Sequence, residues 1–171
     1  GQSGVYSQVI KEGYPAGAFW GPECSGIDAD GKYIFNHVDD NGNPINEYLG
    51  SAQPKWNLGL AVNASWKDFD LTVSGYGMFG QKVLNATRME LYDNTRLPSQ
   101  NTLDDFIKSG ITATPVYSSY YIENGSFFRL QALTLGYTIP GTKKFGFGKI
   151  RVYVTGENLF CITGYKGADP E

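Results

Sequence analysis

The hexapeptide GYGMFG, residues 75–80, has the G-x-G-x-x-G spacing with which backbone amides cradle a dinucleotide pyrophosphate. A strand-like run, FDLTVS, precedes it, and a helix-compatible run, QKVLNATRMEL, follows. The residues around the motif argue against a nucleotide. A dinucleotide fold needs a buried parallel first strand that is almost continuously apolar, yet FDLTVS places Asp70, Thr72 and Ser74 at alternate positions. No second strand with a ribose-binding acid follows at the required distance. Tyr76, Met78 and Phe79 are bulky where backbone must approach phosphate. The glycines instead suit the end of a strand that something packs against closely.

The other polar clusters support little chemistry. HVDDNGNPIN, residues 37–46, groups oxygen ligands around Gly42, and Asp39 and Asn41 stand where a Ca²⁺ loop would have its third and fifth ligands. His37 in the first position and Pro44 in the spacing make a polar turn the better reading. His37 is the single histidine and has no Ser or Cys nucleophile beside it, so triad chemistry lacks its parts. Asp104, Asp105, Glu123 and Glu157 are carboxylates with no spacing that defines an acid–base pair. KKFGFGK, residues 143–149, lacks P-loop spacing and reads as a basic turn. The sequons at Asn63, Asn85 and Asn124 fall mostly within strand or helix patterns. Neither an enzyme nor a resident cofactor or metal is expected.

Stacking aromatics remain. Trp20, Trp56, Trp66 and the tyrosines Tyr117, Tyr120 and Tyr121 offer ring faces of the kind that hold sugars. The competing role is a packed or interfacial aromatic, favoured by the placement of these residues at strand ends.

The elements that carry these residues are long strands. In WNLGLAVNASW, residues Trp56, Leu58, Leu60, Val62, Ala64 and Trp66 share one face, while small and polar residues share the other. This length exceeds that of most soluble strands and matches a tilted membrane-crossing strand. Lys67 and Asp68 then form a two-residue turn into FDLTVSGYGMF, which alternates in the same way and completes a hairpin. Two further strands are expected, over residues 126–139 and in KIRVYVTGENLF from Lys149, joined by a turn over 140–148. Shorter strands are expected near 16–21 and 31–35. Between the hairpin and the last two strands, residues 81–122 read as one long loop with a short helix at its start, and a loop of that length is usually functional.

Composition agrees. The 171 residues carry a net charge of −3, which gives no footprint for a nucleic-acid partner. Charged residues make up only 18%, aromatics 15%, and there are 22 glycines, a balance typical of strand-rich chains. No apolar run is long enough for a transmembrane helix, a test that does not bear on a β-barrel. Cys24 and Cys161 are read as two unpaired thiols.

The stretch from Glu123 to the end closely resembles the C-terminal region of SusC/RagA-type TonB-linked outer-membrane proteins of Bacteroidetes. The pieces that carry the resemblance are NGSFFRL, LTLGYTIP, IRVYVTGENLF and GYKGADPE. Upstream, YPAGAFWG, the run from YLGSAQPKW to GMFG, and LNATRMEL follow in the family's order, so the resemblance spans residues 14–171. It implies an all-β fold: an antiparallel meander of long strands, part of a transmembrane-type barrel, with one long loop and a short helix. Residues 1–171 would then be one fragment of a TonB-dependent receptor barrel, without the plug domain and the final strand. The implied function is import of oligosaccharide or peptide nutrients at the outer membrane, powered by TonB, with a SusD-like lipoprotein as partner. The Asp-rich loop of the family is degraded at residues 37–46, which further weakens Ca²⁺ binding. Four long strands cannot close a barrel of about 22. Alone, the sheet must therefore cover its edges and apolar face by oligomerising, by folding its long loop over a face, or by adopting a soluble all-β packing, and the apolar face of residues 56–79 is expected to lie against protein, another chain or detergent. The alternatives are a soluble all-β carbohydrate-binding module and a truncated fragment with no independent function.

Overall fold

The computed structural model describes residues 5–93, 95, 97–141 and 148–170. In chain order the strands are β1 (Gln8–Val9), β2 (Ala18–Pro22), β3 (Cys24–Ile27), β4 (Tyr33–Phe35), β5 (Asn46–Ser51), β6 (Trp56–Trp66), β7 (Phe69–Phe79), β8 (Lys82–Leu84), β9 (Ile122–Asn124), β10 (Phe127–Ile139) and β11 (Ile150–Thr163). Two short helices, α1 (Ala86–Leu91) and α2 (Asp104–Ser109), and a 3-10 turn at Ser119–Tyr121 complete the elements. The chain divides into two compact units: Lys55–Phe79 with Ser126–Gly164, and the described residues outside those segments.

The first unit is a four-stranded antiparallel meander in the order β6-β7-β10-β11. β6 and β7 pair without interruption from Trp66↔Phe69 to Trp56↔Phe79. The two-residue turn expected at Lys67–Asp68 is present, with Lys67 in the left-handed region at φ 55°. β10 falls within the strand expected over residues 126–139, and β11 runs past the expected Phe160 as far as Thr163. Residues 142–147 of the expected basic turn lie outside the described residues.

β10 carries an irregularity that simple alternation does not reveal. Leu130 pairs with Gly75 and Ala132 with Ser74, so Gln131 is one extra residue relative to β7. Toward β11 the ladder skips from Phe160 to Glu157 at the same place, with Asn158 at φ 51°. A bulge of this kind bends the strand and shifts the phase of its side chains by one. Phe128 and Leu130 therefore share a face with Leu133, Leu135 and Tyr137.

The second unit has an aromatic core. Phe19, Met89, Tyr92, Phe106, Ile111, Tyr117, Tyr121 and Ile122 form its buried cluster. Two small sheets lie within it, β1-β2-β5 and β8-β9, along with the hairpin of β3 and β4. The pairing of Leu84 with Ile122 brings both ends of the expected long loop together. That loop is therefore not structureless. It holds β8, α1, α2 and the 3-10 turn, because Met89, Tyr92, Phe106, Ile111 and Tyr117 are apolar residues at spacings no single period describes. Each buried phenol has a polar partner, as burial demands. Tyr117 donates to the Ser7 carbonyl at 2.8 Å, the hydroxyls of Tyr33 and Tyr121 meet at 2.5 Å, and the Tyr92 hydroxyl accepts from Arg88 at 2.7 Å.

Helix α1 starts at a specific cap. The Asn85 side-chain oxygen accepts from the Arg88 amide at 2.9 Å, and its Nδ2 donates to Glu123 at 3.2 Å. Helix α2 ends at Gly110, whose φ of 72° suits a glycine stop. Cys24 and Cys161 are free thiols.

Candidate functional site

Strand pairing, with the bulge at Gln131 keeping β10 in phase, gives the sheet of the first unit two surfaces of opposite character. On one, Leu58, Leu60 and Val62 of β6 stand beside Gly77, Gly75 and Val73 of β7, and Leu133 and Leu135 of β10 continue the row toward Gly156 and Val154 of β11. This surface is apolar from edge to edge, and many of its side chains are exposed among the described residues. Leu58 is 52% exposed and Val154 74%. A patch this continuous on a soluble monomer would be anomalous.

Aromatic residues bound the apolar surface at both ends. Trp66, Phe69 and Tyr137 are in register at one end, and the rings of Phe69 and Tyr137 lie 4.7 Å apart. Trp56 and Phe79 are in register at the other end. Trp56 and Trp66 are 75% and 67% exposed. The Lys67 ammonium lies 4.6 Å from the centre of the Trp66 ring, over its face. Eleven residues rising about 3.4 Å each cover roughly 34 Å, and a tilt of about 45° reduces this to roughly 24 Å, matching an apolar band of about 25 Å.

The opposite surface is polar and internally bonded. Thr72 donates to Asn63 at 3.0 Å, and the hydroxyls of Thr134 and Thr155 meet at 2.9 Å. Arg151 makes a two-pronged contact with Asp70, Nε to Oδ1 at 2.9 Å and Nη2 to Oδ2 at 2.5 Å, over the intervening Gly136. Neither Asp70 nor Arg151 stands out in a motif search. The available signal was an acid and a base on the small, polar side of two alternating strands.

The second unit has a cleft of about 330 Å³ between the start of α1, the start of α2 and the segment from Tyr165. Its lining includes Thr87, Arg88, Leu103, Asp105, Tyr165 and Lys166. Arg88 is the hub. It contacts Glu123 at 3.2 Å and Asp105 at 3.5 Å, and it stacks over the Tyr92 ring at 4.7 Å. Burial, with the Asp105 carboxylate adding to it, pushes the Tyr92 phenol up to about 12. Burial likewise raises Tyr165, and Glu123 adds to the shift. With Arg88 already compensated by two carboxylates, the walls offer hydrogen bonds and a ring more than net charge.

The structure separates the aromatic candidates. Tyr121 is fully buried and Tyr117 nearly so: both are core residues, the packed role favoured for them over open ring faces. Tyr120 is partly buried against Tyr33, Tyr92 and Tyr121. Trp20 packs edge-on to Tyr14 at 5.2 Å, and Lys11 covers its face at 4.1 Å. Asp39 turns inward on its own loop. Its Oδ1 accepts the amides of Asn41 and Asn43, and its Oδ2 accepts the Asn43 side chain. Those bonds, led by Asn43, hold the Asp39 carboxyl below its ordinary pKa. Asp39 and Asn41 thus build a turn.

Known proteins share this arrangement. The chain is 33% identical over 184 residues to the TonB-dependent receptor SusC of Bacteroides thetaiotaomicron, and 28% identical over 196 residues to TonB-dependent receptor P3 of Formosa agariphila. Each match covers 96% of this chain, and the chain spans 18% and 19% of those relatives' lengths. Among solved structures, the RagAB peptide importer in its closed-closed state superposes with a TM-score of 0.71 at 26% identity. The RagAB peptide transporter superposes with a TM-score of 0.70 at 27% identity. These matches cover 90% and 92% of this chain and 20% of each of theirs. No family profile matches the chain. In fold and surfaces the chain resembles part of the wall of an outer-membrane β-barrel. In sequence and in fold it is similar to TonB-dependent receptors of the SusC/RagA type.

Proposed function

We propose that this chain is one arc of the wall of an outer-membrane importer of oligosaccharide or peptide nutrients, powered through TonB. The observation that carries the reading is the two-sided sheet: an uncovered apolar surface bounded by aromatic residues, backed by a polar surface whose groups bond to one another. One side suits lipid and the other a hydrated passage. The similarity to SusC and to RagAB supports transport over catalysis. It also supports a SusD-like lipoprotein as the partner that docks on the same receptor from outside. A soluble carbohydrate-binding module accounts poorly for an apolar surface that the chain leaves open.

The test is fractionation of the intact protein combined with uptake. It is expected in the outer membrane, and deletion of its gene is expected to abolish uptake of one labelled oligosaccharide or peptide class while uptake of the monomers continues. Recovery from the soluble periplasmic fraction would overturn the reading.

A further inference from the structure

We propose that Glu23, His37 and Glu47 form a binding site for a divalent first-row transition-metal ion, of which Zn²⁺ is the representative. Among the described residues, these three side chains are the one group of three metal-ligating types whose donor atoms converge, all within 4.8 Å of one another.

The backbone dictates the convergence. Glu23 lies between β2 and β3, and its carbonyl accepts the Asn36 amide at 2.9 Å. His37 is the next residue, and its carbonyl accepts the Ile45 amide at 2.9 Å. Glu47 lies on β5, directly opposite Gly21 on β2. Three segments distant in sequence therefore meet through main-chain pairing, and their side chains extend from a fixed frame.

Donor type and spacing point to the class of ion. His37 Nδ1 and Glu47 Oε1 are 3.0 Å apart. Two donors each about 2.1 Å from a common ion and at right angles to it lie roughly 3.0 Å apart, so an ion fits where the two now share a proton. An imidazole with two carboxylates suits Zn²⁺, Mn²⁺ or Co²⁺ better than Ca²⁺ or Mg²⁺, which prefer all-oxygen shells. Glu23 also has an outer contact of the kind that orients ligands, since its Oε2 accepts from Asn36 Nδ2 at 2.7 Å. The simpler reading is a surface His–Glu pair with Glu23 beside it. Two carboxylates brought to the same point repel unless positive charge joins them, and either a protonated His37 or a bound cation supplies it, so metal uptake is the observation that separates the two. The neighbouring Asp39 is not part of the set, because its own loop uses both of its oxygens.

The test titrates Zn²⁺ into the intact protein, purified in detergent and stripped of metal, by calorimetry. Wild type is expected to take up one more equivalent than His37→Gln. Glu23→Gln and Glu47→Gln should each weaken that equivalent tenfold or more, and Asn36→Ala about tenfold. Excess Ca²⁺ or Mg²⁺ should not displace it. All three ligand positions are at or near the surface, and a matching thermal melt confirms that each variant folds. Equal stoichiometry and affinity in wild type and His37→Gln would overturn the proposal. So would a loss confined to His37→Gln, which marks adsorption on a lone imidazole. An anomalous difference map at the zinc edge provides a direct second reading: a peak among the three side chains supports the site, and its absence in zinc-soaked crystals refutes it.

Discussion

Asp70 and Arg151 belong to strands that do not touch, and they meet by reaching across Gly136 on the strand between them. A Cβ at position 136 would fall inside both the carboxylate and the guanidinium. The glycine is therefore what lets the pair close. The pair is partly exposed, at 44% for the Arg151 side chain and 32% for Asp70, and exposed pairs of this kind contribute little to stability. Forcing a side chain beneath it costs more, about 1–3 kcal/mol. Gly136→Val is thus expected to lower the denaturation midpoint of the intact barrel more than Arg151→Ala does, in paired melts. The reverse ranking would mean that the charges, not the space, set the stability there.

The glycines of GYGMFG make a second prediction. A Cβ on Gly75 would come within 2.9 Å of the Arg129 carbonyl and 3.0 Å of the Phe128 ring, and one on Gly77 within 2.8 Å of both the Phe127 carbonyl and the Phe79 ring. Gly77→Val is expected to destabilise the folded protein by about 1–3 kcal/mol. Gly59→Val, at an open position on the adjacent strand, should be nearly neutral. Unfolding curves of the two variants check the contrast.

What was legible in the sequence follows from periodicity. β6 and β7 were readable because both surfaces are uniform along eleven residues and the turn is two residues long. The first part of β10 was less readable because Gln131 breaks the phase, so that FFRL and LTLGY alternate out of step. The second unit was the least readable. Its strands are as short as two residues, its helices are six residues each, and its core side chains come from all over the chain. The same limit hid the Arg88 cleft, whose members lie between residues 85 and 168. The aromatic candidates were visible by type, but burial decides their roles, and burial is not a local property.

The phenols give a pH prediction with a definite sign. Burial raises Tyr92 and Tyr117 from an ordinary value of 10.0 to about 12. A group held protonated by folding contributes stability that is complete below its unfolded pKa and is lost as pH rises through its folded one. The second unit is thus expected to hold to pH 10 and to weaken between pH 10 and about 12. Phenolate absorbance should show a late-titrating class that disappears in denaturant. Titration of every tyrosine near the ordinary value in the folded protein would contradict this.

Arg88 is the residue whose loss should cost the second unit most per atom removed. Its side chain is 12% exposed, as is that of Glu123. Removing one member of a mostly buried pair strands the other and costs about 3–5 kcal/mol. Arg88→Met is expected to raise protease sensitivity within residues 80–125, and Arg88→Met with Glu123→Gln should recover part of the loss. If the double variant is as unstable as the sum of the singles, the two residues are not coupled.

The extra residue at Gln131 also stores the bend of a strand in a single codon. Deleting it would remove the bulge and leave FFRL and LTLGY in plain alternation, each residue keeping its partner on β7 and its side of the sheet. An in-frame loss of one uncharged, exposed side chain would thus read, to the folding barrel, as a change of curvature with inside and outside preserved.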